Sequence, residues 1–193
     1  MVNFSLWVDA FLKPKETFQK EKANASIKEG ALNILTASFI ISVLLSIVVA
    51  ILGSVGASFM GLSTVEGFGG GVVGLIIIIF ILFVVGELVG SFISVGIIWL
   101  TALLLGGKGS FTQQYYLSSL FTAPLLVLLI INIIPLIGGL LTLIAALYSI
   151  YLLYLVVKEV HGLSTGKTVL SILLIPIILL ILLVLVFGAI LLK

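Results

Sequence analysis

Apolar positions in this chain neither alternate nor recur as narrow stripes; they run on. Five stretches, at about 31–53, 72–105, 115–134, 140–157 and 168–192, are apolar on every side. Short segments holding Gly, Pro and nearly every charge separate them. The shortest has 18 residues, enough for a helix to cross most of a ~30 Å hydrocarbon core. The pattern predicts an all-α polytopic membrane protein: a bundle of five transmembrane helices behind a short amphipathic amino-terminal segment covering residues 1–30.

The longest stretch, Val72 to Leu105, is expected to be one helix. At 1.5 Å per residue it reaches roughly 50 Å, so it must tilt, kink or project from the membrane. It carries one carboxylate, Glu87, beside Gly86, Gly90 and Ser94 at a spacing of four, and the other spans are expected to close around it. In the first span Ser38, Ser42, Ser46, Ala50 and Ser54 also recur every four residues, which makes one small-residue face for close helix approach. Ahead of it, Asn3 to Leu12 places Phe4, Leu6, Trp7, Phe11 and Leu12 largely on one side, as in an interfacial helix. Pro14 is expected to break that helix. The following Lys13, Lys15, Lys20, Lys22 and Lys28, interleaved with Glu16, Glu21 and Glu29, read as a solvated lead-in. Ser54 to Gly71 reads as a flexible outer loop, 106–114 and 158–167 as turns, and Asn132 to Gly139 as a tight reversal. Pro124 predicts a kink in the third span, and Pro176 lies inside the fifth.

Composition changes this picture little. The 193 residues are 62% hydrophobic and 8% charged, which leaves no room for a soluble domain, and the first span is expected to serve as the insertion signal. The formal charge of +2 comes from Lys without Arg, so no nucleic-acid partner is expected. With no Cys and one His, no metal site, cofactor or thiol chemistry is expected either. Eight of the nine Lys fall in the amino-terminal segment and the turns at 106–114 and 158–167, so that side is expected to be cytoplasmic, with the carboxyl terminus outside. Trp99, Tyr115, Tyr116, Tyr148, Tyr151 and Tyr154 gather toward the same side. Lys-only basicity and heavy use of Ile fit the cytoplasmic membrane of a low-GC or thermophilic prokaryote.

Four features invite chemistry. Gly166-Lys167-Thr168 resembles the end of a phosphate-binding loop, but that motif needs Gly where His161 stands and a strand where a membrane helix runs. Glu87 is costly inside a bilayer, and two readings stay open. It is a protonated structural hydrogen-bonder, favoured because the spans hold no Lys or Arg, or a proton, ion or headgroup site. His161 reads as a solvated turn residue. Together with Lys108, Lys158, Glu159 and Lys167 it forms a set of turn contacts for a peripheral cytoplasmic protein. No Ser-His-Asp set, paired intramembrane aspartates or zinc helix motif is present, so no catalytic residue is assigned.

Several segments together resemble a known family. Lys13-Pro-Lys-Glu-Thr-Phe18, Leu105-Gly-Gly-Lys-Gly-Ser-Phe-Thr-Gln113, Thr122-Ala-Pro-Leu125, Ile134-Pro-Leu-Ile-Gly-Gly139, Lys158-Glu-Val-His-Gly-Leu-Ser-Thr-Gly-Lys167 and Leu174-Ile-Pro176 look like the Ypt-interacting-protein (Yip) domain family, in its prokaryotic and archaeal branch. The resemblance implies five spans with a cytoplasmic amino terminus, and no catalytic residues. Eukaryotic relatives in early secretory membranes associate with one another and with prenylated Rab-type GTPases, and are implicated in vesicle traffic. The leading expectation is a non-enzymatic membrane-organising or trafficking-type adaptor that meets the lipid bilayer and forms homo- or hetero-oligomers through small-residue faces. A small transporter, channel or lipid-moving protein using Glu87 comes second, a receptor for small GTPases or other peripheral proteins third, and a membrane enzyme last.

Overall fold

The computed structural model describes residues 2–59 and 69–191; the centre of the expected outer loop, with Ser63 and Glu66, lies outside the described residues. Among the described residues seven α-helices follow in order: α1 (Phe4–Leu12), α2 (Pro14–Glu21), α3 (Ile27–Phe59), α4 (Gly69–Leu104), α5 (Phe111–Leu128), α6 (Ile137–His161) and α7 (Thr165–Leu191). The last five are long and apolar enough to cross a membrane, and no strand occurs among the described residues.

Local chemistry sets the boundaries. Asn3 caps α1 by accepting from the Ser5 N–H at 3.1 Å. Pro14 ends that helix and, as the first residue of α2, also starts the next, where its missing N–H costs nothing. Ser110 and Gln113 form a capping box that starts α5 four residues before the expected Tyr115. Gly162, at φ 65°, closes α6 in the left-handed conformation that favours glycine. Pro124 stays within α5, which tightens to a 3-10 turn over Leu129–Ile133. The expected loop at 54–71 is shorter than foreseen: α3 continues to Phe59, and α4 begins at Gly69.

The bundle closes around α5, not around α4. From Gln114 to Phe121 every residue of α5 is buried, which leaves those two turns no face for lipid, while Leu128 at the helix end is exposed. Its most extensive neighbour is α3, and the approach is close. A Cβ added at Gly30 would stand 2.8 Å from the Tyr115 ring and 3.3 Å from the backbone of Tyr116. Helix α4 stands at the rim, a single helix with Leu82, Val85, Val89 and Ile93 exposed. It meets α5 through rings: Phe92 stacks on Tyr115 at 4.2 Å between centroids, and Trp99 meets Phe111 edge-on at 5.9 Å.

The amino-terminal hairpin is not a solvated lead-in. Trp7 and Ala10 of α1 and Phe18 of α2 join the same buried cluster as Leu117, Leu120 and Phe121 of α5 and Val156 of α6. Polar bonds hold it in register. The Tyr116 hydroxyl donates to Glu21 at 3.2 Å, Tyr148 donates to the Phe11 carbonyl at 2.6 Å, and Lys22 donates to the Glu159 carbonyl at 2.6 Å. The expected apolar stripe is only partly right: Trp7 is buried, while Phe4 and Leu12 stay exposed.

Asn33 is the joint between hairpin and bundle. It accepts from the Trp7 indole N–H at 3.1 Å and donates to Ser119 at 3.0 Å, and all three residues are buried. Asn33→Ala leaves the indole N–H unpaired, and we expect a loss of about 1–3 kcal/mol. Thermal unfolding in detergent should show this loss, with the exposed Asn24→Ala unchanged as the control.

Candidate functional site

Glu87 looks inward from the rim helix. It lines a cavity of about 140 Å³ between α3, α4 and α5, together with Ser91, Ser94, Tyr115, Ser118, Ser119 and Thr122. At 1.5 Å per residue it sits roughly 18 Å above Trp99, deep in the bilayer. A polar cavity at that depth is expensive unless its groups bond to one another or to a guest. Some do. Ser91 meets the Tyr115 hydroxyl at 3.2 Å and donates to the Leu88 carbonyl at 2.7 Å, while Ser119 donates to the Tyr116 carbonyl at 2.7 Å. The Ser118 hydroxyl, on a residue 3% exposed, has no partner among the described residues. The space suffices for several waters or a hydrated cation.

The small-residue positions do not form one seam. Ser38 and Ser42 are buried on α3, and Ser42 with Ser46 faces Ile76, Phe80 and Phe83 of α4 across a cavity of about 80 Å³. Ala50 is exposed. Gly86 and Gly90 are exposed on α4 and meet nothing within 4 Å where a Cβ would stand, and Ser94 is exposed as well. The close approach of α3 to α5 is at Gly30, two steps of four before Ser38 with Ile34 between them.

At the lysine-rich end, Lys108, Lys158 and Lys167 are exposed, and Glu159 is paired with Lys22 at 3.5 Å. His161 does not join them at the surface: it is 4% exposed and fastens two turns together. Its Nδ1 accepts from the Gly109 N–H at 3.3 Å, and its Nε2 meets Gln114 Oε1 at 2.7 Å. Gln114 donates from its amide nitrogen to the Val95 carbonyl at 3.3 Å, which fixes the oxygen toward the ring. These roles require the neutral imidazole with its proton on Nε2. The Trp99 indole then donates to the Gly109 carbonyl at 3.0 Å. A Cβ at Gly109 would come 2.6 Å from the Val160 carbonyl, so only glycine lets the turn pass beneath α6. The capping-box spacing of Ser110 and Gln113 is the sequence signal that would have placed Gln114 inside a helix.

With this geometry in place, the comparison with known families is decisive: the Yip1 domain model matches residues 8–188. The chain belongs to the Yip1 domain family. No curated protein and no solved structure matches it. The Yip1 domain match begins inside α1 and runs into α7, so it takes in the amino-terminal hairpin, the Glu87 cavity and the His161 clasp. It agrees with the integral membrane character of the five long apolar helices.

Removing the clasp ring separates a structural role from a surface one. His161→Leu leaves the Gly109 N–H and the Gln114 carbonyl without partners, and should lower the unfolding temperature as a loss of about 2–4 kcal/mol would. Substituting the exposed Lys167 with Gln should leave it unchanged in the same detergent assay.

Proposed function

We propose that this Yip1 domain protein is a non-enzymatic membrane organiser that assembles with like chains through the outer face of α4. Its lysine-rich end lies in the cytoplasm, the orientation that the Lys distribution favours. Ser110, exposed at that end, is where accessibility labelling reads it. The observation that carries the assembly reading is the open ground at Gly86; Gly90, one turn on, lines the Glu87 cavity instead. In lipid, where apolar surface alone drives little association, such positions let two backbones approach. The hairpin α1–α2, fastened to α5 and α6, offers a rigid cytoplasmic platform to a peripheral protein.

One observation favours a second reading, a transporter or lipid-moving protein built on Glu87: the buried, unpartnered Ser118 hydroxyl in the same cavity. A guest moving through the cavity would bond to that hydroxyl and to the carboxylate.

Two measurements decide. Gly86→Leu should reduce cross-linking between copies carrying a cysteine at Val85 by about tenfold, while the monomer unfolds as before because Gly86 is exposed and a Cβ there meets nothing within 4 Å. Unchanged cross-linking would count against the α4 interface. Vesicles containing the purified protein should show no proton or cation flux above empty vesicles. A pH-dependent flux abolished by Glu87→Gln would replace the organiser with the conduit.

A further inference from the structure

A groove between α2 and α6, of about 290 Å³, stands apart from the features used so far. Lys15, Gln19, Tyr151, Tyr154, Lys158 and Glu159 line it. Its charges are unequal. Glu159 is engaged by Lys22 at 3.5 Å, whereas Lys15 has no hydrogen bond or ion pair among the described residues. Lys158 reaches only hydroxyls, Tyr154 at 3.0 Å and Thr165 at 3.3 Å, with its ammonium 5.4 Å from the centre of the Tyr154 ring. Two ammonium groups without carboxylate partners therefore set the sign of the groove, and it selects an anion.

Apolar ground adjoins the groove. Phe11 lies 5.8 Å from Tyr148, and Tyr148 lies 5.8 Å from Tyr151, all measured between ring centres, so a chain of ring contacts links the two. Beyond Tyr148 a second cavity of about 440 Å³ opens between α1, α5 and α6, lined by Phe11, Leu125, Leu129, Leu141 and Ala145. Lys158, Leu155, Tyr151, Tyr148, Ile144 and Leu141 recur at steps of three and four, so one face of α6 runs from the charged groove to the apolar one. From Tyr151 to Leu141 is about 15 Å along the helix, the hydrocarbon depth of one leaflet. The tyrosines mark the level where such rings meet headgroups.

We propose that this paired groove is a binding site for an anionic glycerophospholipid of the leaflet at the lysine-rich end. Its phosphate lies between Lys15 and Lys158, and an acyl chain lies along α6 against Leu125, Leu141 and Ala145. A soluble phosphate would use only the upper half; the apolar continuation selects the lipid.

Native mass spectrometry of the full chain, released from nanodiscs holding equal phosphatidylglycerol and phosphatidylcholine, tests the site. Wild type should retain phosphatidylglycerol preferentially. The pair Lys15→Gln with Lys158→Gln should lower that retention about tenfold, and Lys15→Glu alone should do the same without touching any side-chain bond. Removing equal charge from the exposed Lys20 and Lys28 should change nothing. Ala145→Phe, which fills the apolar half, should weaken long-chain but not dihexanoyl phosphatidylglycerol. Glycerol 3-phosphate at millimolar concentration should displace neither. Equal retention by Lys15→Glu, equal loss in the Lys20 and Lys28 control, or displacement by glycerol 3-phosphate would each overturn the proposal.

Discussion

The burial of α5 on every side from Gln114 to Phe121 is the constraint from which the other contacts follow. Helical turns with no lipid-facing side must be met by neighbours all round, and α3, α4, α6 and the α1 hairpin all pack on α5. Because α5 carries Gln114, Ser118, Ser119 and two tyrosines, its neighbours must also supply polar partners. Asn33 meets Ser119, Ser91 meets Tyr115, Glu21 meets Tyr116 and His161 meets Gln114. In a solvent that offers no hydrogen bonds these pairings fix rotation and depth, where apolar contact alone would let the helices slide.

The same constraint explains what could be read from residues alone. Span number and helix type were legible because unbroken hydropathy leaves the backbone few alternatives in lipid. Which span sits in the middle was not, because the usual association of apolar with interior reverses in a membrane. Among the five spans, the third is the least hydropathic and the most buried, while α4, far more apolar, stands at the rim. The longest apolar run signalled contact with lipid.

The sites were legible unevenly for a related reason. Glu87 drew attention because a lone charge in an apolar field is visible in one dimension, and its cavity between three helices is consistent with that attention. His161 did not. Its neighbours in sequence, Lys158 and Glu159, are polar, and its partners lie 47 and 52 residues away. The same holds for α2, whose alternating charges conceal that Thr17, Phe18 and Glu21 turn inward together. Spacing shows which residues share a face, but not which face is covered.

The His161 clasp also has an order in time. Gly109 and Gln114 are made long before the residue that satisfies them, and none of the three can be fastened until α6 has been synthesised to its last turn. A nascent chain halted anywhere before that point carries α4 and α5 joined by a turn whose central N–H has no imidazole to accept it. The clasp thus cannot close until the first four membrane helices are present in full.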